Sequence, residues 1–185
     1  MEREQTENLK YNFSVKMAGE ADLKYVPEIS GWTNSAGTMI ALSEEKLAEL
    51  FLNDNSAIVT NSLGQIVSHA AITCEYLDDF LEFGGLVTGK DFQNHGAATL
   101  VTKFLLCKKS KENPGKTIFA LANNISSKIL IKLNAPEMLT TEVCEQAWDL
   151  CKECPKYMKP KSGEIFECCD TPYNLTEVCK GGDKK

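Results

Sequence analysis

No stretch of this 185-residue chain is apolar for the roughly 18 residues that a bilayer span requires, and runs such as Thr99–Cys107 break off well before it. Met1–Lys10 is charged where a secretory signal would be apolar. A basic excess is missing too: 20 Lys and Arg stand against 26 Asp and Glu, a net charge of −6. Phosphate backbones are bound by basic patches or stripes, so this balance argues against a nucleic-acid partner. Neither the G-x-x-x-x-G-K-[ST] loop of nucleotide-binding folds nor the G-x-G-x-x-G of dinucleotide folds occurs. Internal repeats, interdomain linkers and low-complexity segments are also missing. These absences predict a soluble, cytoplasmic protein with no nucleic-acid and no membrane partner.

What is present suits a single globular domain. Hydrophobic residues make up 43% and charged residues 25%, near the globular averages of about 45–50% and 25%. One core serves chains of up to roughly 250 residues. The reading divides the chain into a mobile leader at 1–12, one domain at 13–175 with a cysteine-rich segment at 141–179, and a disordered tail at 180–185.

Period and punctuation set the elements. Phe13–Met17 alternates apolar with polar and reads as a half-buried strand. Asp22 reads as the N-cap of a helix from Leu23 to about Ile29, followed by a loop at Ser30–Thr38. Ser43 caps a second helix whose Leu47, Leu50 and Phe51 form an apolar stripe. Ala57–Thr60 and Ile66–Thr73 form a hairpin, and Phe80–Thr88 is a long strand whose Gly84-Gly85 pair implies a bulge or the close approach of a ligand. Gly96–Lys109 has helical spacing, Thr117–Ala122 is a buried strand, and Ser126–Leu133 and Glu142–Cys154 are helices. Strand, loop, helix, strand from Leu81 to Ala122 implies one parallel pair in an otherwise antiparallel sheet, an α/β (α+β) sandwich.

The informative stretch is the loop that ends Phe80–Thr88 and opens the next helix. A glycine before a helix turns backbone N–H groups and the helix dipole toward one spot, which suits a phosphate. Gln93-Asn94-His95-Gly96-Ala97-Ala98 fits the pattern [QR]-x-x-G-x-[GA], and Asn123, followed by a helix that ends in Lys132-Leu133-Asn134-Ala135, lies at the matching distance downstream. On these two motifs the sequence resembles the GNAT superfamily of acetyl-CoA-dependent N-acetyltransferases over about Phe13–Ala135. The resemblance implies the GNAT fold: a mixed, mostly antiparallel twisted sheet, helices on both faces and a splayed central strand pair. It also implies acetyl-CoA as cosubstrate. The pyrophosphate would lie on the amides of Gln93, Asn94, His95, Gly96, Ala97 and Ala98, and the pantetheine arm would pair with the backbone of Leu86, Val87 and Thr88. Asn123 and Ser126, at the second motif, would lie near that arm.

Transfer to an amine needs a base, an oxyanion stabiliser and a proton for the leaving sulfur. The resemblance implies that a backbone N–H at about Leu86 or Val87 polarises the thioester carbonyl. Glu82 is the candidate base; its position matches the catalytic Glu of histone-type members, and period 2 places it on one face with Gly84 and Leu86. A solvated edge charge is the alternative. Leu130 occupies the position of the family's thiolate-protonating Tyr, and Asn134-Ala135 replaces its Gly-Phe, so the acid falls to water or to Tyr76, in the loop before the strand. Asp78 and Asp79 could bind a cationic acceptor. His95 reads as solvent-facing, and His69 as a satisfied sheet histidine.

Cysteine is abundant, with eight residues. Cys74 and Cys107 read as small buried hydrophobes, whereas Cys144, Cys151, Cys154, Cys168, Cys169 and Cys179 cluster toward the end. Cys151-x-x-Cys154 is half of a zinc site, and Cys168 or Cys169 with Cys144 or Cys179 would have to complete it. Cys144, Trp148 and Cys151 also share a helix face, so a packed thiol cluster is the favoured reading over zinc and over a disulfide or redox pair. The tail loosely resembles proteins near the N-acetylglutamate synthases. Together these features predict transfer of acetyl to the primary amine of a small molecule such as an amino acid, the acceptor pocket being built by Gly31–Ala41, Ile72–Phe80 and the tail. Protein acceptors and a degenerate acyl-CoA-binding module are the alternatives, and a homodimer is left open.

Overall fold

The structure, a computed structural model, describes residues 9–37, 39–152, 154 and 169–179. The expected tail at 180–185, most of the leader at 1–8, and Cys168 lie outside the described residues.

Among the described residues six strands form one sheet in the order β1-β2-β3-β4-β5-β6. The strands are β1 (Phe13–Met17), β2 (Ser56–Asn61), β3 (Ile66–Tyr76), β4 (Phe80–Thr88), β5 (Thr117–Ala122) and β6 (Thr171–Asn174). Only β4 and β5 run parallel; every other neighbouring pair is antiparallel. The helices are α1 (Val26–Ala36), α2 (Glu44–Leu52), α3 (Ala97–Glu112), α4 (Ser126–Lys132) and α5 (Glu145–Cys151). None of the described helices is long and apolar enough to cross a membrane.

Alternation along β2 separates two faces: Ala57 and Val59 join one cluster and Ile58 the other. On the first face, Val101, Leu105 and Leu106 of α3 and Leu130 of α4 pack against the sheet. On the second, Val26 and Ile29 of α1 and Leu47 and Phe51 of α2 pack on Ile58 and Ile66. A third cluster sets Ala147 of α5 and Val143 just before it on Tyr76 and Phe119. Each large apolar side chain so buried contributes about 1.5–3 kcal/mol relative to exposure.

Several expectations need correction. The first helix does not span Leu23–Ile29: a 3₁₀ turn covers Glu20–Tyr25, and α1 then runs through the stretch read as a loop. Ser30 and Thr33 look loop-like by composition, but both hydroxyls donate to the Leu42 carbonyl and are buried there. Pro27 sits in the first turn, and Gly37, at φ 65°, ends the helix in the left-handed region. Asp22 receives the Gly19 N–H and pairs with Lys16 at 2.7 Å. The leader ends earlier than Asn12: the Lys10 carbonyl accepts from Asn61 Nδ2, and Tyr11 packs on the core. The tail supplies β6, antiparallel to β5.

Candidate active site

The sheet opens at one point. The β4 and β5 pairing comprises Phe80↔Thr117, Leu81↔Ile118 and Glu82↔Phe119 and stops there, although β4 continues to Thr88 and β5 to Ala122. The other edge of β5 is taken up by β6. The remaining edge of β4 therefore faces a splay with Glu82 at its vertex. Gly89 N–H donates to the Val67 carbonyl at 3.0 Å, and Ser68 Oγ donates to the Val87 carbonyl at 2.9 Å. Backbone groups alternate along an antiparallel strand, so those of Val87 face β3 while those of Leu86 and Thr88 face the splay. Of the two residues expected to present an N–H there, Leu86 turns its backbone to the splay and Val87 does not, so Val87 is not an open pairing site.

Two bulges set which side chains face where. Ala71 pairs with Gly84 but His69 with Val87, so Gly85 and Leu86 together oppose Ala70. Gly85 has φ 60°, the left-handed first position of a glycine bulge. The second bulge lies on β3, where Ile72 pairs with Phe83 and Cys74 with Glu82, leaving Thr73 extra. Each bulge flips the parity beyond it. Leu86 consequently joins Leu81 and Phe83 on the α3 face, and the expectation that Glu82, Gly84 and Leu86 share a face fails. Thr73 flips Cys74 and Tyr76 onto the face of α5.

That flip brings Tyr76 and Glu82 together. Tyr76 is the last residue of β3 rather than part of a loop, and its hydroxyl donates to Glu82 Oε2. Burial pushes the Glu82 carboxyl up, with the Tyr76 hydrogen bond acting against it. Burial, then the hydrogen bond and charge of Glu82, push the Tyr76 phenol up. Cys144, just before α5, is close enough for the charge of Glu82 to add to the burial that raises its thiol pKa. A groove of about 580 Å³ lined by Cys74, Glu75, Tyr76, Leu77, Gln146, Asp149 and Leu150 leads to this point. It draws on the expected Ile72–Phe80 segment and on α5, whereas Gly31–Ala41 lines none of it. Asp79 is exposed with φ 62°, outside that lining.

The loop after β4 behaves as its glycine suggests. A 3₁₀ turn at Lys90–Phe92 leads to exposed Gln93, Asn94 (φ 65°) and His95, and Gly96 (φ 87°) caps the sixteen-residue α3. Among the described residues no side chain caps this end, and nothing lies within 4 Å of where a Gly96 Cβ would stand. Ala97 is buried and Ala98 half-buried. His95 is not merely solvent-facing, because Tyr11 stacks on it at 3.8 Å between ring centres. Lys10 Nζ lies 5.5 Å from the Phe92 ring centre beside the same loop.

At the second motif, Asn123 Oδ1 accepts from the N–H groups of Ile125 and Ser126, and Ser126 Oγ accepts from Asn123 N–H. Asn123 thereby takes up the first N–H of α4, and Ser126 closes the turn that leads into it. Leu130 is 1% exposed in the core. Asn134 takes φ 57°, the conformation for which glycine is usual at a helix end.

Cys107 is not a packed hydrophobe: it forms a disulfide with Cys179 that ties α3 to the segment after β6. Cys144 and Trp148 pack on the third cluster, whereas Cys151, expected on the same face, is half-buried and not part of it. Among the described residues no three His, Cys, Asp or Glu converge on a metal-sized point, and Cys168 lies outside them.

No family model matches the sequence, and no curated protein sequence is similar to it. The likeness lies in the fold. The N-acetylglutamate synthase of Neisseria gonorrhoeae, solved with coenzyme A and N-acetyl-glutamate, superposes with a TM-score of 0.62 at 16% identity over 76% of this chain. The match spans 32% of the length of that enzyme. An acetyltransferase of the GNAT family from Staphylococcus aureus gives 0.56 at 14% identity, covering 88% of this chain and 99% of its own. An Escherichia coli N-acetyltransferase of a ribosomal-protein alanine gives 0.56 at 11%, over 88% and 90%. The chain has the GNAT fold.

Proposed function

We propose that this protein is an acetyl-CoA-dependent N-acetyltransferase acting on the primary amine of a small molecule. The observation that carries the reading is the β4 edge beyond Glu82, which pairs with no strand among the described residues, with the N-terminus of α3, uncapped by any described side chain, at the end of the same strand and loop. The residues present suit the cosubstrate. Backbone groups of Leu86 and the N–H of Thr88 face the splay as an added strand would require, while the Thr88 carbonyl accepts from Gln93 Nε2 at 3.4 Å and would have to exchange that partner for a pantetheine arm. The space beside Gly96, which a Cβ would enter, suits a diphosphate on the amides of Gln93–Ala98.

Acetyl-CoA supplies the acetyl group as a thioester. In this reading Leu86 N–H polarises the thioester carbonyl, and Glu82 takes the proton of the incoming amine, which enters along the groove beside Tyr76. A carboxyl raised by burial is the stronger base, since the best catalytic pKa lies near the working pH. The leaving thiolate takes its proton from the Tyr76 phenol, which recovers one from the protonated Glu82 across their hydrogen bond, a relay that Leu130 cannot provide.

Thiol release from acetyl-CoA, followed across a panel of amines, amino acids and peptides, tests the reading. The expected result is turnover of small amines that falls by about 10²-fold or more in Glu82→Gln. Turnover of peptides alone would make the protein a peptide acetyltransferase, and CoA binding without turnover would make it a binding module.

A further inference from the structure

His69 is one of two histidines in the chain and lies 0% exposed in the middle of β3, with one ring nitrogen turned to each of two different strands. Its Nδ1 is 2.9 Å from the Gly85 carbonyl on β4, and its Nε2 is 3.1 Å from Ser56 Oγ on β2. The tautomer follows from the partners. A carbonyl oxygen only accepts, so Nδ1 carries the proton; Nε2 then only accepts, and the Ser56 hydroxyl donates to it. Phe51 stacks on the ring with 5.8 Å between centres. Burial holds the imidazole pKa down at about 4, so the ring stays neutral and keeps this arrangement.

A satisfied sheet histidine accounts for the hydrogen bonds but not for their target. Gly85 is the left-handed residue of the bulge, where the regular β3–β4 ladder is broken. Side chains of β3 take over: His69 holds the Gly85 carbonyl, and Ser68 holds the Val87 carbonyl and meets the Thr88 hydroxyl at 2.8 Å. Leu86, between Gly85 and Val87, has both neighbours tied to β3, which leaves its own N–H fixed toward the splay. We propose that His69, clamped by Ser56, is a positioning residue that sets the direction of the Leu86 N–H by holding the Gly85 carbonyl. The inference rests on the acetyltransferase reading for its consequence, since the Leu86 N–H matters as the group that polarises the acyl carbonyl. The brace itself is a property of the chain without ligand.

Two measurements separate these. Nitrogen-15 NMR of the full chain without ligand reads the tautomer: His69 is expected with the proton on Nδ1 and with no titration between about pH 5 and 8. A proton on Nε2, or titration in that range, overturns the brace whether or not the protein is an enzyme. Kinetics read the consequence. Asn places an amide near the position of Nδ1 and Gln near that of Nε2, so His69→Asn should keep kcat within about threefold. His69→Gln should lower kcat on the order of 10²-fold with KM for acetyl-CoA nearly unchanged, because a misplacement of about 1 Å has that effect. Equal kcat in the two variants, with only a lower melting temperature, overturns the proposal. If either variant does not fold, Ser56→Ala releases the clamp and should lower kcat in the same way at unchanged KM; an unchanged kcat overturns the proposal. A wild-type chain that neither binds CoA nor turns over any amine defeats the acetyltransferase reading, and the tautomer measurement then decides the brace alone.

Discussion

The phenol of Tyr76, at the end of β3, donates its proton to Oε2 of Glu82 on β4, diagonally across the strand pair. The contact exists because Thr73 is an extra residue on β3. Without it Tyr76 would face α3, and Glu82 would have a different neighbour.

Removing the donor should be visible in the pH profile. The Tyr76 hydrogen bond lowers the Glu82 pKa against the effect of burial. Tyr76→Phe should therefore move the acid limb of kcat/KM to higher pH, and a limb that stays in place would separate Glu82 from catalysis. Stability follows a definite sign. A carboxyl raised in the folded state contributes stability that is full below its unfolded pKa and is lost as pH rises through its folded pKa. Glu82→Gln should consequently raise the melting temperature at neutral pH and lose that advantage below about pH 4. A variant less stable than wild type at pH 7 would count against the buried carboxylate.

Much of this arrangement is legible in the sequence, and the rest fails for identifiable reasons. Phe80–Thr88 and Thr117–Ala122 match their strands to the residue, because aromatic and β-branched runs bounded by glycine and proline leave few alternatives. The Gly84-Gly85 pair announces a bulge, and the Gln93–Ala98 loop announces the α3 N-terminus. Face assignments beyond the bulges are lost, since one extra residue inverts every later position and Thr73 carries no local sign of being extra. Ser30 and Thr33 misread as loop because their partner, the Leu42 carbonyl, is remote in sequence. β6 is four residues containing Pro172, too short for any period. His69 was visible as a buried histidine, but its target was not.

Gly96 separates backbone strain from ligand contact. At φ 87° any side chain is strained by about 1–2 kcal/mol, and asparagine by less. Gly96→Val and Gly96→Asn should both weaken CoA binding about tenfold or more by filling the open space beside the glycine, while Gly96→Asn melts nearer to wild type. Calorimetric titration with CoA checks this. An unchanged dissociation constant in Gly96→Asn would move the diphosphate elsewhere.

Gly85 should be sensitive in a different currency. A Cβ there would stand 2.9 Å from Leu42 Cδ1, the end of a flexible side chain, and φ is 60°. The methyl can move aside, so the backbone term dominates and Gly85→Ala should be destabilised by about 1–2 kcal/mol. Combining it with Leu42→Ala tests the division: the two effects should add within about 0.5 kcal/mol. Strong coupling in denaturant titrations would show that the Leu42 contact governs instead.

The Cys107–Cys179 disulfide closes a separation of 72 residues and ties the chain beyond β6 to α3. Cross-linking restricts the unfolded chain, and a loop of this length corresponds to about 4 kcal/mol in the chain-entropy account. Guanidinium unfolding with and without reductant should therefore differ by an amount of that order, and Cys179→Ala should behave like the reduced protein in both conditions. The bond also bears on the expectation of a cytoplasmic protein, because disulfides seldom persist where glutathione keeps thiols reduced. Thiol titration of protein isolated under rapid acid quench distinguishes the states: an unreactive Cys107–Cys179 pair is expected in oxidised material. Free thiols at both positions, with unfolding insensitive to reductant, would remove the cross-link and leave β6 held by its pairing with β5 and by the core contacts of Tyr173 and Leu175.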